Sequence, residues 1–226
     1  NFNFCIQDVS NPPANDECNN AIPIITEPFN SNCSSSIVTT TNGATRSTPD
    51  PSCTNTDNND DIWYTFTATS QSIVLRFNNL IETTDGSSGS LGYALYQTNC
   101  PSSSTTFSCS NNIGFGSGLR IIDGLTIGNT YLLRLYGLGF NNYISFNFCI
   151  QDLPAPPVND ECASAIPIVT QPFGTNCTEF VSVNTTGATH SLPDPPCGVI
   201  DSNDDLWYRF VANSNSVIFR FSDAQL

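Results

Sequence analysis

Lysine and methionine are both missing from this 226-residue sequence, and histidine occurs once. All six basic residues are arginine, set against twenty acids, for a formal net charge of −14. That balance leaves no cationic run for nucleic acid or an anionic membrane surface, so neither is an expected partner. No stretch approaches the ~18 consecutive apolar residues of a membrane-spanning helix, which removes membrane insertion. There is no C-x-x-C pair among the ten cysteines, so zinc-ribbon and thioredoxin-type readings lack their signature. G-x-S-x-G and H-E-x-x-H are also absent, which takes away the commonest hydrolase motifs. With no methionine and no signal peptide ahead of Asn1, the expectation is a mature product or a window of a longer chain.

The residues present suit a secreted β protein. Hydrophobic residues make up 38% and aromatics 11%, enough for a real core, while charged residues are only 12%. Ten cysteines in an acidic chain rich in Ser, Thr and Asn indicate an oxidising compartment. The expected location is extracellular or at the cell surface, with Cys5, Cys18, Cys33, Cys53, Cys100, Cys109, Cys149, Cys162, Cys177 and Cys197 all in disulfides.

The sequence repeats itself after 144 residues. "FNFCIQD" at 2–8 returns unchanged at 146–152, and "NDDIWYTF" at 59–66 meets "NDDLWYRF" at 203–210. Across 1–82 and 145–226, 43 of 82 positions are identical without a gap. The expected organisation follows: 1–10 closes a preceding repeat, 11–152 is one complete unit, and 153–226 is the N-terminal half of the next. Proline-rich "SNPPAN" (10–15) and "LPAPPVN" (153–159) read as semi-rigid junctions.

Within a unit the pattern is strand throughout. Ile62, Tyr64, Phe66 and Ala68 alternate with polar or opposite-facing neighbours, as do Ile73, Leu75 and Phe77. Tyr131, Leu133 and Leu135 point one way while Arg134 and Tyr136 point the other; Ile144, Phe146, Phe148 and Ile150 form a fourth stripe. Period-2 runs broken by Gly, Asn, Pro and Ser predict an all-β, jelly-roll-like β-sandwich, repeated in tandem and braced by disulfides.

The order of these motifs resembles the bacterial pre-peptidase C-terminal domain and its repeat relatives in extracellular adhesins. The resemblance rests on "DDIWYTF" (60–66), "SIVLRF" (72–77), "YALYQTNC" (93–100) and "LTIGNTYLLRLYG" (125–137), followed by "FNFCI". The preceding "NDECxxAIPI…GATxSxPDPxC" segment is similar to tandem cysteine-bearing modules of secreted Bacteroidota-type proteins. The resemblance implies a sandwich serving as an accessory, substrate-binding or surface module. It departs in carrying six cysteines per unit with no attached enzyme domain.

Several residues are candidates for a site. The clusters Asp16/Glu17 and Asp60/Asp61 recur as Asp160/Glu161 and Asp204/Asp205. Carboxylates grouped on loops beside strand ends are what a calcium ion takes, and capping of turns is the competing reading. Asn32, Asn176 and Asn184 begin N-x-S/T sequons, which would place glycans on the surface. Trp63 and Trp207 occupy equivalent positions, where packing outweighs a sugar-stacking platform. Cys100 and Cys109 have no counterpart in the half-repeat and are expected to pair with each other. The remaining two groups of four each allow three connectivities. Every cysteine finds a partner within the sequence only if the closing-strand residues Cys5 and Cys149 bond into the repeat that follows.

No catalytic group is expected. The counterpart of the lone His190 is Arg46, and neighbouring Asp60 and Asp61 face opposite sides of a strand. The reading is a non-enzymatic structural repeat of an extracellular filament or adhesin, joined to copies of itself by strand complementation and disulfides. The alternative is a glycan- or protein-binding accessory module of a secreted hydrolase.

Overall fold

The computed structural model describes residues 11–54, 60–83, 86–97, 99–114, 116–138, 143–175, 180–189 and 205–222. Cys5, Cys177, Cys197, Asn176, His190 and Asp204 lie outside the described residues. The chain divides into two units, Asn1–Leu153 and Pro154–Leu226.

Among the described residues ten strands build the first unit: β1 (Ile22–Pro23), β2 (Thr26–Glu27), β3 (Ile37–Thr40), β4 (Asp61–Thr67), β5 (Ile73–Glu82), β6 (Leu91–Gln97), β7 (Ser108–Ser110), β8 (Ser117–Ile122), β9 (Thr130–Gly137) and β10 (Ile144–Asp152). They form two five-stranded sheets. One runs β1-β4-β9-β6-β7; the other runs β2-β10-β5-β8, with β3 also paired to β10. This is the β-sandwich that the period-2 stripes predict. All four stripes meet between the sheets: Tyr64 lies edge-on to Phe148 at 4.9 Å, and Phe77 stacks on Phe148 at 5.9 Å. Ile62, Leu75, Leu133 and Ile144 are completely buried there.

The first sheet is covered on its other face as well. Trp63, Ala94, Tyr96, Leu132 and Tyr136 form a second buried cluster, against which Cys18, Ala21 and Cys109 pack. Two irregular segments supply the cover: a short 3-10 turn at Cys18–Asn20, and a strap around residues 44–54. Gly92 leaves room for this layer, since a Cβ there would lie 2.4 Å from the Tyr136 ring.

Among the described residues three disulfides close the first unit: Cys18–Cys100, Cys33–Cys149 and Cys53–Cys109. The expected Cys100–Cys109 bridge is therefore corrected. Cys109 sits in β7 and takes the strap residue Cys53, while Cys100 in the loop after β6 takes Cys18 of the 3-10 turn. The expected bond from Cys149 into the following repeat is also corrected. β10 is an interior strand of its own sandwich, paired antiparallel with β5 from Ile144 to Asp152, so its cysteine bonds inside that unit. Among the described residues Cys162 is exposed and forms no disulfide.

The second unit repeats the opening strand pair of the first. β11 (Ile166–Ile168) runs parallel to β12 (Tyr208–Phe210) in the register Ile166↔Tyr208, as β1 pairs with β4 in the register Ile22↔Tyr64. Asn15 Nδ2 donates to the Trp63 carbonyl at 2.9 Å, and Asn159 Nδ2 to that of Trp207 at 3.1 Å. Phe219 and Phe221 are 66% and 88% exposed, whereas their counterparts Leu75 and Phe77 are buried.

Candidate functional site

Asp61 opens β4 and Arg134 lies in mid-β9, opposite Trp63 in the ladder. All three side chains point away from the sandwich interior yet are sealed by the strap. Asp61 and Arg134 are 0% and 1% exposed and bond at 2.7 Å. Each Asp61 oxygen receives two donors: Ser47 Oγ and Trp63 Nε1 at Oδ1, Ser47 N and Arg134 Nη2 at Oδ2. Burial pushes this carboxyl up, while Arg134 and Ser47 pull it down. With donors on both oxygens and a guanidinium beside it, the group is held as a carboxylate ion. Arg134 also donates to the carbonyls of Pro49 and Ser47 at 2.8 and 2.6 Å, and its guanidinium lies 5.4 Å from the Trp63 ring. The ion pair thus pins the strap across the sheet.

Asp16 does the same work at the start of the unit. Its oxygens accept from Thr45 N at 2.5 Å and Thr45 Oγ1 at 2.8 Å. Asp160 repeats this with Thr189, at 2.6 and 2.7 Å. Glu17 and Glu161 stand exposed before the 3-10 turns, and Asp205 is half-buried. Among the described residues no three His, Cys, Asp or Glu side chains come together as a metal-holding group. Calcium needs several free oxygen ligands. The Asp16 and Asp61 oxygens are already engaged by donors, and Asp61 has a guanidinium as neighbour, so these carboxylates do not fit a calcium site.

Asp60 differs. It is half-buried, and its pKa rises from 3.8 to about 6, first through burial and then through repulsion from Asp61 and Asp16. A raised carboxyl opposes folding when ionised, so its cost grows as pH climbs from about 4 through 6. Asp60→Asn should therefore stabilise the chain at pH 7.5 by about 1 kcal/mol, the shift being discounted for solvent screening. At pH 4 the gain should vanish. Thermal melts at the two pH values check this, and equal shifts at both would refute it.

Glu27 in β2 is a buried carboxylate that the sequence reading missed. Ser31 Oγ, Ser34 N, Ser35 N and Ser35 Oγ all donate to it. The hydroxyls of Ser31 and Ser35, then the Ser35 amide, draw its pKa down to about 2. The loop it gathers is the one that presents Cys33 to Cys149. Asn32 and Asn184 are exposed, and the Asn184 side chain accepts from Thr186 N and Oγ1.

The loop from β6 to β7 encloses an open cleft of about 520 Å³. Tyr96, Phe107, Gln97, Asn99, Ser103 and Thr105 are among the residues that line it. The Cys18–Cys100 bridge ties one side of the loop to the 3-10 turn, and Phe107 N donates to the Leu95 carbonyl at 2.8 Å on the other.

A family model described as galactose binding domain-like, and T9SS-associated by its name, matches residues 14–150 and again 158–221. The two stretches begin 144 residues apart, at 14 and at 158. Among solved structures the chain is similar to the pre-peptidase C-terminal domain of a collagenase from Bacillus anthracis. The identity is 11% and the TM-score 0.35, over 57% of this chain and 93% of that one. No curated protein matches the chain.

Proposed function

The chain belongs to the T9SS-associated galactose binding domain-like family, and on that premise we propose that it is a load-bearing repeat of an extracellular filament or cell-surface adhesin. The family is one of accessory rather than catalytic modules, and its T9SS association implies a secreted or cell-surface protein. No helix among the described residues is long and apolar enough to cross a membrane.

The observation that carries the proposal is the Cys33–Cys149 bridge. It joins the opening of a unit to its last strand across a sequence separation of 116. Tension entering at residue 11 and leaving at 153 then follows a short covalent route. It runs 22 residues to Cys33 (33 − 11), through the bridge, and 4 residues from Cys149 (153 − 149). At ~3.4 Å per extended residue that route spans roughly 90 Å, against roughly 480 Å for the same segment with its bridges open. A repeat so clamped passes force along a series without paying out its chain. The partners on this reading are further copies of the unit.

Single-molecule stretching of the chain, tethered at its two ends, tests the proposal. Adding a reductant should lengthen the extension released by the first unit by roughly 390 Å, the reach of the 116 residues within the loop. Equal extensions with and without reductant would exclude a load-bearing clamp.

A further inference from the structure

We propose that residues 2–8 of one copy of this chain add as a strand to residues 217–221 of a second copy, joining copies head to tail. This rests on the reading of the units as links in a series, and names what joins one molecule to the next. Residues 2–8 lie outside the described residues, but their sequence, "FNFCIQD", is that of β10 from Phe146 to Asp152. β10 pairs antiparallel with β5 in the register Phe148↔Phe77, Ile150↔Leu75 and Asp152↔Ile73. Shifted by 144 residues, that register sets Phe4 against Phe221, Ile6 against Phe219 and Asp8 against Val217.

The receiving surface stands open in the second unit. Residues 217–222 form no strand, whereas their counterparts in β5 have ladder partners on both sides. Val217, Phe219 and Phe221 are exposed where Ile73, Leu75 and Phe77 are buried, and Val181 is exposed where Ile37 packs on the core. In the first unit it is Phe146 and Phe148 of β10 that lie against Phe77. An apolar row of this kind left in water marks a surface that takes a partner. A strand laid along it gains main-chain hydrogen bonds, and its alternate side chains fill the apolar side.

Polar groups point to the same occupant. Arg76 Nε donates to Gln151 Oε1 in the first unit. Its counterpart Arg220 is exposed and has no acceptor among the described residues; the matching group in the segment is Gln7. Asp152 Oδ2 accepts from Thr26 Oγ1 at 3.1 Å and Thr69 Oγ1 at 2.5 Å. The counterparts Thr170 and Asn213 meet each other at 2.9 Å, and Asp8 brings them the carboxylate that Asp152 supplies in the first unit. These two polar matches fix the register, since a slip of one residue would turn Phe4 and Ile6 to the wrong face.

Chain order favours a second copy as the donor. β10 runs on through Leu153 into the unit that begins at Pro154. A donated segment runs on in the same way into the donor's own first unit, so a junction between copies repeats the order within one chain. The donor keeps its own 217–221 surface for a third copy. Such a contact is heterologous, and where it does not close on itself it builds a filament.

Sedimentation velocity of the whole chain over a concentration series should show species growing past the mass of one chain. Phe4→Asp with Ile6→Asp should abolish this growth; that variant keeps Cys5, which separates strand addition from thiol cross-linking. Phe221→Asp should abolish it from the receiving side, at an exposed position where the fold of the unit is not at stake. A synthetic peptide of residues 1–10 with Cys5→Ser should dissolve the assemblies. It should also move the amides of 217–222 in the nitrogen-15 spectrum of the Phe4→Asp, Ile6→Asp chain. Adding Phe221→Asp to that chain should weaken the peptide by roughly tenfold or more, the effect of losing one buried phenylalanine. The proposal is overturned if the whole chain stays single at every concentration, as it would if it closed on its own segment. Undiminished growth in either aspartate variant, or undiminished peptide binding with Phe221→Asp, overturns it equally. The stretching experiment reads one tethered chain, so the load-bearing clamp stands or falls separately.

Discussion

Asp61→Ala should destabilise the first unit by about 3–5 kcal/mol, the usual cost of leaving one member of a buried ion pair alone. The Arg134 guanidinium would remain at 1% exposure with no counter-charge. Water cannot reach it without lifting the strap, and lifting the strap uncovers Trp63, Tyr96 and Tyr136. The Ser47 hydroxyl would also lose its acceptor, and the Trp63 indole one of its two. The paired change Asp61→Leu with Arg134→Met should recover much of the loss, because a buried pair replaced by apolar groups of similar volume is often neutral. Urea unfolding followed through Trp63 reads both variants cleanly once Trp207, the other tryptophan, is changed to phenylalanine. A loss under about 1 kcal/mol for Asp61→Ala would show that the pair does not hold the strap.

Replacing Cys33 and Cys149 together by serine should cost about 4 kcal/mol. The estimate comes from the closure entropy that the bridge removes from the unfolded chain, which grows with loop length; here the separation is 116. Folded-state effects act in the same direction. The bridge fastens β10, which has ladder partners on both sides, to the loop gathered around Glu27. Cys162→Ser is the contrasting change and should leave the melting temperature alone, because that thiol is exposed and unpaired. Calorimetry of the oxidised chain and its variants checks the difference. A double serine variant as stable as the parent would show that the ladder alone keeps the unit shut.

The core stripes were legible because a strand that buries one face against another sheet must alternate. Ile62, Tyr64 and Phe66, like Phe146 and Phe148, fall where period two puts them. The outward face of β9 was legible too, since Arg134 and Tyr136 share one side of the strand. What that side met was not. An arginine on the far face reads as a solvated charge until a distant segment is known to cross it, and nothing local in "GATRSTPDP" announces a strap. The cysteine pairing was hidden for the same reason. Cys100 and Cys109 are close in sequence, yet one leaves the end of β6 and the other sits in β7, each meeting an element that arrives from the N-terminal third. Asp61 opens β4 under the strap and Asp60 stands just ahead of the strand, so one carboxylate is saturated by donors and the other is left half-buried with a raised pKa. Glu27 had no signal at all, because its three serines become a cradle only when the loop folds back.

The parallel pairing of β2 with β10 bears on how a unit would yield. Thr26 and Glu27 lie alongside Ile150 and Gln151, one pair near the start of the unit and the other near its end. Drawn toward opposite termini, parallel neighbours slide along their common axis, and the hydrogen bonds between them are loaded together. An antiparallel hairpin drawn from its open end peels instead, one rung at a time. The second and last strands of this unit are therefore set in shear, with the Cys33–Cys149 bridge beside them as a stop.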